Sequence, residues 1–218
     1  MNIMQSIDTA KYYGLDEAKT ALEAIPDPKP GAQEHNIYFY EMWPLVRLLE
    51  YLNPDDTHSV KLRFSDGKRN DDGIILLNNI KQEIQFVLAI DGQQENIRME
   101  HQKIYGRAPA VQDMEWSGKK WDRVLPEQNT MAFDRTEIMD KLKSLVQNAV
   151  QRKIKKQYCG MWLGVVFEDH TPPASEKTIQ NYTEVCDWVM KIYKKQLGEL
   201  FKKVLFIGTS GTYIKHYD

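Results

Sequence analysis

The chain has 218 residues, of which 42% are hydrophobic and 28% charged, and its formal net charge is −2. This size and composition predict one globular domain, and the charge excludes binding of nucleic acid through overall positive charge alone. No apolar run approaches the roughly 18 residues that span a membrane, and no secretory signal opens the chain. Because two cysteines are too few for a disulfide framework, we expect a cytoplasmic protein in which Cys159 and Cys186 are reduced and buried.

Two helices are predicted near the start of the chain. Residues 14–25 have the pattern of a short amphipathic helix, and the three prolines and glycine of PDPKPG at 26–31 end it. In residues 38–52 the apolar side chains recur at helical spacing, and Pro44 fits the first turn of a helix.

Three strands follow. Residues 58–64 alternate apolar and polar side chains, residues 74–77 are a short apolar run, and residues 81–90 are a longer one. The asparagine pair at 78–79 predicts a tight turn between the last two strands. The pattern is that of an antiparallel meander.

The second half of the chain predicts helices alternating with buried strands. Its near-continuous apolar strands are typical of a sheet covered on both faces, and the strand-helix-strand order predicts a parallel pair. In chain order we predict a polar helix at 93–104, an irregular excursion at 105–132, a helix at 136–156, a strand at 158–168, a helix at 176–199 and a strand at 204–208.

Together these elements predict an α/β or α+β fold, with helices flanking a mixed central sheet. We expect a single domain over 1–218, with a core of about 38–104 and 136–208.

A group of polar residues lies on the predicted hairpin. Asp72 stands just before one strand, and Glu83 and Gln85 lie two residues apart on the next strand, so that both point to one face. Because the turn folds the second strand back along the first, Asp72 is expected to approach this pair. Two carboxylates and a backbone carbonyl would form a hard-oxygen site that suits Mg²⁺ or Mn²⁺.

An aspartate followed about ten residues later by Glu-X-Gln on the next strand resembles the PD-(D/E)XK nuclease superfamily, which has lysine in the last position. The resemblance implies a restriction-endonuclease-like αβββαβ core followed by strand, helix and strand. It also implies Mg²⁺- or Mn²⁺-dependent hydrolysis of phosphodiester bonds in double-stranded DNA, with a restriction or defence role. By position, Asp72 and Glu83 match the metal ligands and Gln85 the lysine, while Glu41 matches a glutamate on the first helix.

The match departs from the superfamily pattern at two places. Asp71 precedes Asp72 where the family has proline, so either aspartate is a candidate ligand. Gln85 supplies no positive charge, although some restriction enzymes of this superfamily carry glutamine there. Two alternatives follow: a non-catalytic binding or immunity-type protein that retains the nuclease fold, and an unrelated α/β protein with a chance motif.

Basic residues outside the hairpin are candidate nucleic-acid contacts. Alternative roles are a solvated helix face, the anchoring of an irregular loop, and compensation of a helix dipole. The resemblance also implies a homodimer, although no heptad pattern is present. The candidate contacts are Arg98, His101, Arg107, Lys119, Lys120, Arg152 and Lys153.

The acidic pair Glu168-Asp169, followed by His170, ends the strand predicted at 158–168. The carboxyl end of a parallel strand is a usual place for a ligand site. Three consecutive residues cannot all face one ion without a turn, so we expect the start of a loop there.

Overall fold

The computed structural model describes residues 7–26, 37–53, 59–66, 70–90, 135–156, 159–169 and 176–218. Within these ranges four α-helices and one π-helical segment accompany six strands. The helical elements are α1 (Leu15–Glu23), the π-helical segment (Tyr38–Met42), α2 (Trp43–Leu52), α3 (Arg135–Lys156) and α4 (Glu176–Leu200). The strands are β1 (Val60–Phe64), β2 (Gly73–Leu77), β3 (Ile80–Ala89), β4 (Met161–Phe167), β5 (Phe201–Gly208) and β6 (Ile214–Tyr217).

The six strands form one mixed sheet in chain order, from β1 at one edge to β6 at the other. The first three strands are antiparallel, β3, β4 and β5 are parallel, and β6 pairs antiparallel with β5. The predicted α+β class, the meander and the parallel strand-helix-strand unit are therefore confirmed. The edge strand β6 was not predicted. The helix predicted at 93–104 and the excursion at 105–132 lie outside the described residues.

Helices cover both faces of the sheet, because side chains alternate along each strand. Along β3, Ile84 and Phe86 join the core formed with α1 and α2, whereas Val87 and Ala89 join the core formed with α3 and α4. Gln85 alternates with Ile84 and Phe86, so it lies on the α3 face. The one polar side chain in this buried part of β3 is therefore directed toward α3.

The turn at Asn78 and Asn79 sets the register of the β2–β3 hairpin. Both residues have positive φ, 49° and 64°, which is typical of the two-residue turns that match strand twist. This turn places Gly73 opposite Ile84. Asp72, one residue earlier, consequently lies beside Gln85.

Gly73 lets α2 approach β2 closely. A Cβ atom at this position would lie 2.5 Å from Cδ2 of Leu45, so only glycine fits there without displacing that side chain. The π-helical segment, which leads into α2, lies against β3. This segment carries Glu41. Pro44 lies in the first turn of α2, as predicted.

The prediction that both cysteines are buried has a different outcome for each of them. Cys186 is buried, but Cys159 is exposed, because it precedes β4 instead of lying within that strand. The expectation that both thiols are buried was therefore wrong for Cys159. Among the described residues, no helix combines the length and the apolar character needed to cross a membrane.

Candidate functional site

Asp72 is held against β3 by two hydrogen bonds. Its backbone N–H donates to the carbonyl of Ile84 at 2.9 Å, and its Oδ2 accepts from the N–H of Phe86 at 2.6 Å. These two partners flank Gln85 in sequence. The carboxylate of Asp72 therefore lies along β3, next to Gln85, as predicted.

Gln85 has one satisfied and one unsatisfied end. Its side chain is buried, with 6% of the residue exposed, and Nε2 donates to the carbonyl of Asn70 at 2.7 Å. Its Oε1 is buried and has no hydrogen-bond partner among the residues that the structure describes. Leaving a buried acceptor unpaired costs about 1–3 kcal/mol, so such an atom calls for a specific explanation.

Glu41 approaches Asp72 from the π-helical segment. Burial and, to a smaller extent, the negative charge of Asp72 raise the pKa of Glu41 to about 7, although the charge of Lys153 opposes this shift. Short π-helical segments occur frequently at functional sites, because they redirect a side chain that a regular helix would place elsewhere. Glu41 is therefore a carboxyl group that exchanges protons near neutral pH.

Lys153 reaches the same place from α3. Only 9% of this residue is exposed, and burial lowers the pKa of its ammonium group to about 8. The charges of Asp72 and Glu41 act in the opposite direction and favour the protonated form. From the sequence, Lys153 was a candidate nucleic-acid contact or a charge that compensates the helix dipole. Its burial beside two carboxylates instead makes it a member of the hairpin site.

The burial of Asp72 also disfavours its charge. Burial raises the pKa of Asp72, while the hydrogen bond from Phe86 and the charge of Lys153 lower it and the charge of Asp71 raises it. Lys153 and each of the two carboxyl groups thus shift one another's pKa values, and Asp72 also shifts that of Glu41. Perturbed titratable groups that converge in this way are frequent at functional sites, although buried structural ion pairs also produce such shifts.

The two adjacent aspartates face different surroundings. Asp71 is buried and lines a cleft with Arg63, Ser65 and Asp66, among other residues. Asp72 lies beside Gln85 instead. The sequence left open whether Asp71 or Asp72 is the candidate ligand. The charge of Asp72 acts on both Glu41 and Lys153, so Asp72 is the member of the carboxylate cluster.

Glu83 lies at the margin of this arrangement. It shares a strand face with Gln85, but its side chain is 36% exposed and accepts from Nζ of Lys81 at 2.6 Å. It is not among the groups that shift the pKa values of Glu41, Asp72 and Lys153. Glu83 therefore belongs less closely to the site than Gln85, Glu41 and Lys153 do.

The oxygen atoms at the site fit a hard divalent cation better than a soft one. Two carboxylates and the unpaired amide oxygen of Gln85 are the donor types that Mg²⁺ and Mn²⁺ prefer. In the described part of the chain, no three His, Cys, Asp or Glu residues form a ready-made metal cluster. Any ion held here would need the amide oxygen or water in addition to carboxylates.

The other predicted contacts divide into two groups. Arg152 is exposed on α3, and its Nη2 donates to the carbonyl of Leu88 at 2.7 Å, close to the site. The remaining five, together with His170, lie outside the described residues. These five are Arg98, His101, Arg107, Lys119 and Lys120.

Asp169 at the end of β4 has a clear structural role. It accepts from the backbone N–H of Ser210 at 2.7 Å and from the hydroxyls of Ser210, Thr209 and Thr212. These bonds fasten the β5–β6 connection to β4. The expected start of a loop at this position is confirmed.

The sequence does contain a signal for the burial of Lys153. Val146, Ala149 and Val150 form the buried stripe of α3, and Lys153 falls three residues after Val150, on the same stripe. A lysine inside an apolar stripe predicts a buried partner, which a search for clustered basic residues overlooks.

Comparisons with protein-family models, with curated proteins and with solved structures returned no match.

Proposed function

We propose that this chain is a metal-dependent endonuclease that hydrolyses phosphodiester bonds of DNA, with its centre at the β2–β3 hairpin. The observation that carries the proposal is the convergence of Asp72, Glu41 and Lys153 beside the unpaired amide oxygen of Gln85. Oxygen ligands, a proton acceptor and a buried cation are the groups that phosphodiester hydrolysis requires.

The order of the elements supports this proposal. Helix α2 precedes β1, β2 and β3, and α3 then leads into β4 beside β3. This order agrees with the αβββαβ core that the resemblance implies, and in that way supports the proposal. Asp72 before β2 and Gln85 within β3 occupy the corresponding positions of the sequence motif.

Each side chain has a specific task in the proposed reaction. A bound divalent ion would supply charge neutralisation at the phosphate and a more acidic water. Asp72 would hold that ion. Glu41, with a pKa of about 7, would take a proton from the attacking water, since a base is most effective near the working pH.

Lys153 would replace the positive charge that Gln85 lacks. With a pKa of about 8, its ammonium is mainly protonated at neutral pH. It would stabilise the negative charge that develops on the phosphate in the transition state. Although Gln85 stands where the superfamily has lysine, the site would then still contain a positive charge, because α3 supplies Lys153.

A second candidate function is a non-catalytic binding protein that retains this fold. The ion pair between Glu83 and Lys81 favours it, because a predicted ligand already has a cationic partner. In this case Asp72, Glu41 and Lys153 would form a structural ion cluster that joins α3 to the sheet.

Cleavage assays distinguish the two functions. Supercoiled plasmid, linear duplex, single-stranded DNA and RNA would be incubated with Mg²⁺ or Mn²⁺, with and without a chelator. Asp72→Asn, Glu41→Gln and Lys153→Met would be compared with Glu50→Gln and Lys156→Met. These controls change a half-exposed and an exposed charge on neighbouring helical turns.

The proposal expects metal-dependent DNA cleavage by wild type and both controls, with at least a hundredfold loss in the three site variants. Absence of cleavage on every substrate would contradict it and favour the binding protein. Cleavage of RNA alone would overturn DNA as the substrate.

A further inference from the structure

We propose that Gln85 is a direct metal ligand, which binds a divalent cation through Oε1 together with the carboxylate of Asp72, and that Glu83 is not a ligand. This inference rests on the proposed function, since it assigns the ion of that site. It changes the ligand pair that the sequence motif indicates, Asp72 and Glu83.

The two proposed ligands are neighbours at the open end of the β2–β3 hairpin. Gly73 pairs with Ile84, so Asp72 and Gln85 occupy the next position along the hairpin. Hydrogen bonds from Asp72 to Ile84 and from Phe86 to Asp72 fix the carboxylate on both sides of Gln85. The carboxylate of Asp72 therefore lies at the edge of β3 next to Gln85, whose side chain is on the α3 face of the sheet.

The orientation of the Gln85 amide is determined by its surroundings. Nε2 donates to the carbonyl of Asn70, and the reversed orientation would place two oxygens against each other. Oε1 must therefore be the buried atom without a partner. A cation or a hydrogen-bond donor would therefore stabilise this oxygen atom.

The charges around this oxygen favour a cation. Asp72 and Glu41 place two carboxyl groups in the same cluster, and within the described ranges Lys153 is the only ammonium that shifts the pKa of either of them. Lys153 nevertheless makes no hydrogen bond to Gln85 Oε1. A small ion coordinated by oxygen would satisfy the acceptor that the lysine does not reach.

Glu83 is poorly placed for this role. Its side chain is 36% exposed and forms an ion pair with Lys81. To bind the metal ion, Glu83 would have to lose both its hydration and this ion pair. Gln85 is two residues further along β3 and is 94% buried, with 6% exposed. Gln85 thus takes the role of metal ligand that the motif assigns to Glu83.

The type of ligand defines the type of ion. An amide oxygen and a carboxylate are hard donors, which suit Mg²⁺ and Mn²⁺ and provide little selectivity for soft metals. The remaining positions would be filled by water, as is usual for Mg²⁺.

Titration calorimetry of the full chain with MnCl₂ or MgCl₂ alone tests the inference without any nucleic acid. The variants are Gln85→Leu, which removes the acceptor, and Gln85→Glu, which keeps an oxygen and adds charge. Gln82→Leu is the matched control, because Gln82 lies on the opposite face of β3. Glu83→Ala tests the ligand that the motif indicates, and circular dichroism verifies folding.

We expect one Mn²⁺ site in the wild type. Its affinity should fall at least tenfold in Gln85→Leu, rise in Gln85→Glu, and stay within about twofold in Gln82→Leu and Glu83→Ala. Should Gln85→Leu fail to fold, the increase in Gln85→Glu carries the test. Wild-type affinity in Gln85→Leu, loss of binding in Glu83→Ala, or no binding by the wild type would overturn the inference.

Failure of this inference is distinguishable from failure of the proposed function. Mn²⁺ binding that depends on Gln85, without cleavage of any nucleic acid, would support the ligand assignment and contradict the nuclease. DNA cleavage that persists in Gln85→Leu, with unchanged Mn²⁺ binding, would contradict the ligand assignment and support the nuclease.

Discussion

Two aspartate sites beside strand ends, one buried and one half-buried, differ in how completely their polar atoms are paired. At the end of β4, Asp169 receives hydrogen bonds from one backbone N–H and three hydroxyls of the β5–β6 connection. Before β2, Asp72 receives one N–H, lies near the carboxyl group of Glu41, and has the unpaired Gln85 Oε1 beside it.

The difference separates a structural role from a candidate functional one. Folding favours polar groups that are fully paired, because each unpaired buried group lowers stability. The Asp169 site meets this condition within the chain. The Asp72 site does not, and the missing partner is what a ligand could provide.

The largest expected effect is on stability at the paired site. Asp169→Ala removes the acceptor for Ser210 and the neighbouring hydroxyls, and should cost about 3–4 kcal/mol of unfolding free energy. Asp72→Asn retains the acceptor for Phe86 and relieves a buried charge, so its cost should stay below about 1 kcal/mol. Urea denaturation at pH 7 measures both. Equal losses of unfolding free energy in the two variants would show that the two sites do not differ in this way.

The next largest effect is the pH dependence that Glu41 gives to stability. Its pKa is about 7 in the folded chain against an ordinary 4.5, so the folded chain binds more protons between these values. Stability should therefore fall as pH rises from about 4.5 to about 7, by up to about 3 kcal/mol. Glu41→Gln should flatten this part of the curve, whereas Glu50→Gln should not.

Urea denaturation at several pH values between 4 and 8 provides the measurement. A curve for Glu41→Gln that parallels the wild type over this range would show that Glu41 does not titrate in the buried cluster.

A smaller effect is expected from the cation. Since Lys153 lowers the pKa of Glu41, Lys153→Met should raise that pKa further. Lys156→Met changes an exposed lysine on the same helix and should leave the pKa of Glu41 in place. Carbon-detected NMR titration of the glutamate carboxyl groups measures the shift. A lower pKa in Lys153→Met would contradict the proximity of these two groups.

The smallest effect is expected at the margin of the site. Lys81→Met removes the exposed partner of Glu83 and should change the unfolding free energy by less than about 1 kcal/mol. Thermal unfolding at low and high salt measures it. A larger loss would mean that Glu83 is held more tightly than an exposed ion pair allows.

Much of the fold could be predicted from local patterns. The asparagine turn defined the β2–β3 register, and the apolar runs defined β4 and β5. The strand β6 was missed because Ile214–Tyr217 is only four residues long and each residue is exposed or partly exposed. Strand β6 forms by pairing with β5, and no local apolar pattern in the sequence predicts this pairing.

The candidate site was predictable only in part. The hairpin register brings Asp72 to Gln85, and the sequence spacing was sufficient for that step. Lys153 lies 81 positions after Asp72 in the numbering, so its approach depends on how α3 packs against β3. No spacing rule predicts such a tertiary contact, and an unpaired amide oxygen is visible only in three dimensions.

Anomalous diffraction from crystals of the full chain soaked in Mn²⁺ tests the central claim most directly. The account predicts one strong peak within about 2.0–2.4 Å of Gln85 Oε1 and a carboxylate oxygen of Asp72. A peak at Glu83 or Asp169 instead, or no peak between Asp72 and Gln85, would contradict it.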